Sequence, residues 1–168
     1  MLCAMPLASI VDADYKIALF LHVLAVVLAF GPTFGYALFF SVAPTYPRAT
    51  PVILAGVQKC DKYLVNPGMI VLLVAGIFMV AASDDAWDNS DVFISVGYFA
   101  IISLFALQHA FFQPQTRKAK ELAERDLKAG DTLSDEFEAV SQRLGQVGGL
   151  AGIIVVVTIF FMTYKPFL

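Results

Sequence analysis

At 168 residues, with 59% hydrophobic and 15% charged side chains, the chain is too apolar for an ordinary soluble domain, in which about 45–50% apolar and about 25% charged residues are usual. Its mean hydropathy of +0.76 names lipid as the natural solvent. The formal net charge of −3 averages two unlike faces and excludes little until the basic residues are placed.

The apolar residues fall into four blocks: Ile17 to Phe40, Val65 to Ala82, Val92 to Phe112 and Gly148 to Thr163. A helix needs about 20 residues to cross a hydrocarbon core about 30 Å thick. The first three blocks reach that length, and the fourth reaches it with its flanks. The expected fold is all-α: one integral membrane four-helix bundle with spans at about 17–40, 65–82, 92–112 and 147–164.

The first block lacks a basic leader and a clean small-residue cleavage site, with Pro44 directly after Ala43, so it reads as a retained helix and not a signal peptide. Pro32 cannot donate to the carbonyl of Leu28, which predicts a kink near the bilayer centre. At 100° per residue, His22, Ala25, Ala29, Thr33 and Tyr36 share one face of this helix, with Gly31 and Gly35 opposite. The helix thus carries a polar stripe and a separate glycine seam.

Thr50-Pro51 reads as a helix start. The amphipathic run from Val52 to Leu64 leads to Asn66-Pro67-Gly68, which interrupts the path into the second span. The turn from Ser83 to Asn89 is short and acidic, and its Trp87 is placed as an interfacial anchor. In the third span Ser95, Tyr98, Ile102, Phe105, His109 and Gln113 share a face.

The connection 115–146 is too long and too charged for a passive loop. Its first half predicts a helix with Glu121–Arg125 and Glu124–Lys128 pairs, stopped at Ala129-Gly130. Thr132 and Asp135 suggest a capped second helix from Ser134 to Leu144, running on into the last span. That span opens with Gly145, Gly148, Gly149 and Gly152, two overlapping GxxxG patterns that predict a packing seam.

Nine of the eleven Lys and Arg residues lie in the connections after spans one and three: Arg48, Lys59, Lys62, Arg117, Lys118, Lys120, Arg125, Lys128 and Arg143. Only Lys16 and Lys165 remain, beside Asp12, Asp14, Asp84, Asp85, Asp88 and Asp91. The positive-inside rule then puts both termini outside and the 115–146 helical hairpin in the cytoplasm. Cys3 and Cys60 fall on opposite sides and form no bridge within one chain. In the hairpin the basic residues are interleaved with acids, which argues against a nucleic-acid partner.

No charged residue lies inside the four expected spans, so their polar side chains are the candidates for chemistry. His22 and His109 differ in depth by roughly 18 Å at 1.5 Å per residue, too far to share one metal or one haem. His22, on the inner stripe with Thr33 and Tyr36, is the better candidate for metal or cofactor binding. His109 stands at the cytoplasmic edge beside Gln108.

The stretch Leu21-His22-Val23-Leu24-Ala25-Val26-Val27-Leu28-Ala29-Phe30-Gly31 resembles the first helix of a bacterial family of predicted integral membrane proteins. That family is similar in length, helix number and the basic connection before the last helix. The same pattern also resembles the copper-resistance membrane domain family and the HemJ-type, haem-associated protoporphyrinogen oxidases. Those two resemblances imply a helix-one histidine, His22 here, as a ligand to haem b or copper.

No Gly-rich nucleotide loop, zinc-protease motif or nucleophile elbow is present. The expectation is a non-catalytic, multi-pass protein of the bacterial cytoplasmic (inner) membrane. Its partners are the lipid bilayer and a second membrane protein or further copies of itself, as in an accessory subunit of a larger complex. The alternative is a haem- or copper-binding membrane protein using His22. Transport is disfavoured, because the spans offer no carboxylate or basic residue to an ion.

Overall fold

The computed structural model describes residues 7–42, 45–83 and 87–165, with side chains from residue 13 onward in the first helix. Cys3, Ala43, Pro44, the acidic positions Asp84 and Asp85, and the side chain of Asp12 lie outside the described residues.

Every described element is helical. Helix α1 runs Leu7–Val42 as one continuous helix that includes Pro32. After a short 3-10 turn at Pro47–Ala49 come α2 (Thr50–Cys60), a π-helical turn (Asp61–Val65) and α3 (Asn66–Ala81). Helix α4 (Val92–Leu107) passes through a second π-helical turn (Gln108–Phe112) into α5 (Gln113–Ala129), and α6 (Asp135–Tyr164) closes the chain. Four helices are long and apolar enough to cross a membrane: Ala13–Val42, Pro47–Ala81, Val92–Ala129 and Asp135–Tyr164.

Asn66-Pro67-Gly68 thus does not interrupt the second helix. It widens it. A proline lacks an N–H and crowds the carbonyl four residues back. Both π turns end two residues before such a proline, Pro67 and Pro114, and at the intervening residue Asn66 N–H bonds to Asp61 O and Gln113 N–H to Gln108 O. An i→i+5 turn lets each proline sit in a helix that stays continuous.

The second and third helices are 35 and 38 residues long, about 52 and 57 Å at 1.5 Å per residue. Both overrun a core of about 30 Å. The overrun builds a second layer. One apolar core (Ala25, Ala29, Phe30, Val65, Met69, Leu72, Ile101, Leu104 and Val155) lies among the spans. The other joins Leu54 of α2 to Ala119, Leu122 and Ala123 of α5 and to Phe137, Val140 and Leu144 of α6. We call the end carrying this second core the hairpin end, and the other the tryptophan end.

Within the spans α3 lies against α1, α1 against α6, and α6 against α4, while α3 and α4 touch sparsely. Backbone meets backbone at a glycine between α1 and α3: a Cβ on Gly68 would stand 3.1 Å from the Cβ and backbone N of Ala29. The expected glycine seams are not used this way. Gly31, Gly35, Gly145 and Gly149 have no atom of another helix within 4 Å, and Gly148 and Gly152 meet only the rings of Phe112 and Phe34. Large apolar side chains such as Leu38, Phe99, Ile102 and Ile153 face outward, as lipid contact requires.

The hairpin differs in detail from its sequence reading. Its ion pairs along α5 are Arg117–Glu121 and Lys120–Glu124, because Arg125 is drawn instead to Asp126 and Glu136. The N-cap of α6 is Ser134, whose Oγ accepts from Phe137 N–H at 3.4 Å, and not Thr132. Asp126, on α5, closes the turn by accepting from Ser134 Oγ at 2.6 Å and Ser134 N–H at 2.9 Å.

Those Ser134 bonds, helped by Arg125, hold the Asp126 carboxyl below the usual carboxylate range. The closure is therefore complete at pH values above the ordinary carboxylate range, and weakens as pH falls through the lowered folded-state value. Limited proteolysis at Gly130 across an acid titration should show slow cleavage at neutral pH and faster cleavage on acidification. Asp126→Asn should cleave quickly at every pH.

Candidate functional site

Two polar features interrupt the apolar interior, one at each end of the bundle.

At the tryptophan end a cavity of about 500 Å³ opens among α1, α3, α4 and α6, where α3 and α4 part. Its walls are almost wholly apolar, with His22, Tyr15, Tyr98 and Lys165 the titratable side chains on the lining. The imidazole lies across Gly76, whose missing Cβ would stand 3.4 Å from Cε1 and 3.5 Å from Nδ1. An alanine there would just touch the ring.

The His22 Nδ1 atom is buried and makes no hydrogen bond of good geometry, while the Leu72 backbone lies close enough to act on the imidazole. A buried polar atom left unpaired costs about 1–3 kcal/mol. Such an atom calls for a partner, a water or a ligand, to meet it. His22→Leu, of similar volume and without the orphan nitrogen, should accordingly leave the apo protein as stable as the parent or raise its melting temperature in detergent. A melting temperature lowered by several degrees would show that the imidazole is a structural element instead.

Trp87 and Lys165 stand at the mouth. Helix α6 ends with Lys165 in the left-handed region at φ 47°, and its Nζ lies 3.7 Å above the Trp87 ring centroid. Trp87 also meets Phe93 edge-on at 5.3 Å. The indole expected at an interface is thereby pinned over the cavity lining.

The second feature lies between the two cores. Tyr36 of α1 donates to Asp61 Oδ1 at 3.0 Å, with Val57 O at 3.5 Å as a further acceptor. The Gln108 amide faces the same carboxylate. Asp61 and Gln108 are 6% and 7% exposed, which makes both of them interior residues. Each is the first residue of a π turn, so the two widened turns bring the pair face to face.

The three stripe residues are therefore not gathered in one place. His22 belongs to the cavity and Tyr36 to the cluster at the opposite end, while Thr33 bonds back to Phe30 O at 2.7 Å on its own helix. The stripe does face inward, with Ala25 and Ala29 buried. On α4 most of the expected polar face is turned out: Ser95, Ile102, Phe105 and His109 are exposed, while Tyr98 reaches the cavity lining, and His109 Nδ1 lies 3.0 Å from its own helix's Phe105 O. The inward polar residue is Gln108.

Sequence reasoning missed the Asp61–Gln108 pair. The available signal was the repeated spacing, in which a polar residue precedes an Xaa-Pro by five positions: Asp61 before Asn66-Pro67, and Gln108 before Gln113-Pro114. Among the described residues no three His, Cys, Asp or Glu side chains stand together as a metal cage.

The model of the family described as predicted integral membrane protein (DUF2269) matches residues 16–166. The chain belongs to this family. The match takes in all four long helices, the hairpin and both polar features, so membrane insertion is a property of the whole fold. It shows this family alone and no similarity to the copper-resistance or HemJ-type families. No curated protein and no solved structure matches the chain.

Proposed function

We propose that this protein is a non-catalytic, multi-pass protein of the bacterial cytoplasmic membrane that holds a small apolar ligand in the cavity at the tryptophan end, anchored on His22. In this reading both termini are outside and the α5–α6 hairpin is in the cytoplasm, as the distribution of Lys and Arg favours. The observation that carries the proposal is the unpartnered Nδ1 of His22 inside an apolar space of about 500 Å³. Ligand sites are characteristically apolar pockets of about 300–1,000 Å³ with a few placed polar groups. The ligand is then a lipophile with one hydrogen-bonding group, which meets the imidazole while its body fills the space between α3 and α4.

The test is extraction of detergent-purified protein into organic solvent, followed by mass spectrometry. The parent protein should yield a lipophile near one per chain that is depleted in His22→Leu. Extracts that hold only bulk lipid, in the same ratios for both proteins, contradict the proposal.

A second reading, in which His22 ligates copper or haem b, draws support from Met79 and Met162, which line the same cavity. Imidazole with thioether sulfur suits Cu(I), and a His/Met pair suits a haem iron. An absorption spectrum and elemental analysis decide it: a Soret band, or copper near one per chain that is lost in His22→Leu, favours the metal. Neither signal retires it.

A further inference from the structure

Asp61 is a buried carboxylate with no counter-ion among the described residues. Among the described residues no ion pair involves it, and its neighbours Lys59 and Lys62 are exposed. An interior charge with no opposite charge beside it is expensive, and such a group persists where its charge can be neutralised.

The surrounding groups say by what. From α1 comes the Tyr36 hydroxyl, a donor to the carboxylate. From the turn 108–112 comes the Gln108 amide, whose Nε2 is buried with no hydrogen bond of good geometry. From α2 come the Cys60 side chain, next to Tyr36, and the Val57 carbonyl, which already receives the Asp61 N–H. A metal cation asks for several oxygen ligands, and this shell presents mainly donors. A proton needs only the carboxylate oxygen.

We propose that Asp61 is a reversible proton-binding site at the junction of the two cores, with Tyr36 as the hydroxyl that rearranges when the proton arrives and the Gln108 amide facing the carboxylate. The Tyr36 hydroxyl has one hydrogen and two acceptors, Asp61 Oδ1 at 3.0 Å and Val57 O at 3.5 Å. With Asp61 ionised, that hydrogen points to the carboxylate. When a proton from water at the hairpin end adds to the carboxylate oxygen, the new O–H donates to the tyrosine oxygen. The tyrosine hydrogen then turns to Val57 O. One proton is gained and no other bond is made or broken.

The arrangement sits where it can report. Asp61 opens the π turn that joins α2, of the hairpin-end core, to α3, of the membrane core. Protonation there alters the link between the two layers. The site is separate from the His22 cavity, so either proposal can fail alone.

Infrared difference spectroscopy of the full chain in lipid nanodiscs tests it by titrating the carboxylic C=O stretch. The parent protein should show the band of a non-aqueous carboxylic acid growing as pH falls, with an amplitude of about one group per chain. The band should vanish in Asp61→Asn. In Tyr36→Phe it should persist to higher pH, because the ionised carboxylate has lost a donor. Gln108→Leu, which keeps both Asp61 and Tyr36, should move the midpoint the same way and guards against a misfolded Asp61→Asn. A band unchanged in Asp61→Asn, or no such band at any pH, overturns the proposal. So does a midpoint that Na⁺ or K⁺ shifts at constant ionic strength, which would make the ligand a metal cation.

Discussion

Truncating Leu54 to alanine should destabilise the protein by about 2–5 kcal/mol, the range for a buried leucine that leaves a cavity behind. Leu54 is 0% exposed and sits at the centre of the hairpin-end core. That core is built on α5, whose outer face carries Arg117, Lys118, Glu121 and Arg125, so it faces water and draws on the full hydrophobic effect. Leu72 is buried too, but within the membrane core. There the competing solvent is hydrocarbon, and only packing contacts are lost. Leu54→Ala should thus cost clearly more than Leu72→Ala in denaturant titrations performed in bicelles. Equal losses would mean that the hairpin-end core is not in water.

Gly68→Leu should prevent α1 and α3 from closing, and yield protein that inserts but elutes as a broad, aggregated species. Even Gly68→Ala should cost about 1–3 kcal/mol, because its Cβ would meet Ala29 N and Cα at 3.1 and 3.2 Å. Backbone, unlike a flexible side-chain tip, gives way only if the helix moves. Gly31→Ala and Gly145→Ala should fold normally, having nothing within 4 Å. Size-exclusion profiles of the four variants separate a true contact glycine from a sequence pattern.

That contrast shows what could be read in the sequence. Four membrane helices were legible because about 20 apolar residues in a row have no other stable home. The inward face of α1 was legible because Ala25 and Ala29 recur at helical spacing beside polar residues. Which glycines pack was not. GxxxG specifies that a backbone is accessible, and which neighbour comes to it depends on tertiary placement. Gly68 shows no GxxxG pattern with Gly76 and carries the contact nonetheless.

Ion pairs along α5 were underdetermined for a similar reason. The alternation of charge allows two registers of i,i+4 pairing, and the choice falls to Asp126 and Glu136, which claim Arg125. Asp61 and Gln108 were illegible as partners because 47 positions separate them, and because a π turn changes which side of a helix faces inward. Counting at 100° per residue puts His109 on a stripe with Tyr98 and Phe105. The structure turns Gln108 inward instead.

The case for a ligand rests on the His22 cavity, and the protein carries its own reporter there. Trp87 is the single tryptophan of the chain and lines the cavity. Titrating detergent-solubilised protein with a brominated long-chain alcohol, while following Trp87 emission, measures occupancy directly. The account predicts saturable quenching, weakened about two- to tenfold in His22→Leu, the worth of one neutral hydrogen bond. A brominated alkane of equal length should quench both proteins alike. Quenching by the alcohol that rises linearly without saturation, and is identical in the two proteins, would contradict it.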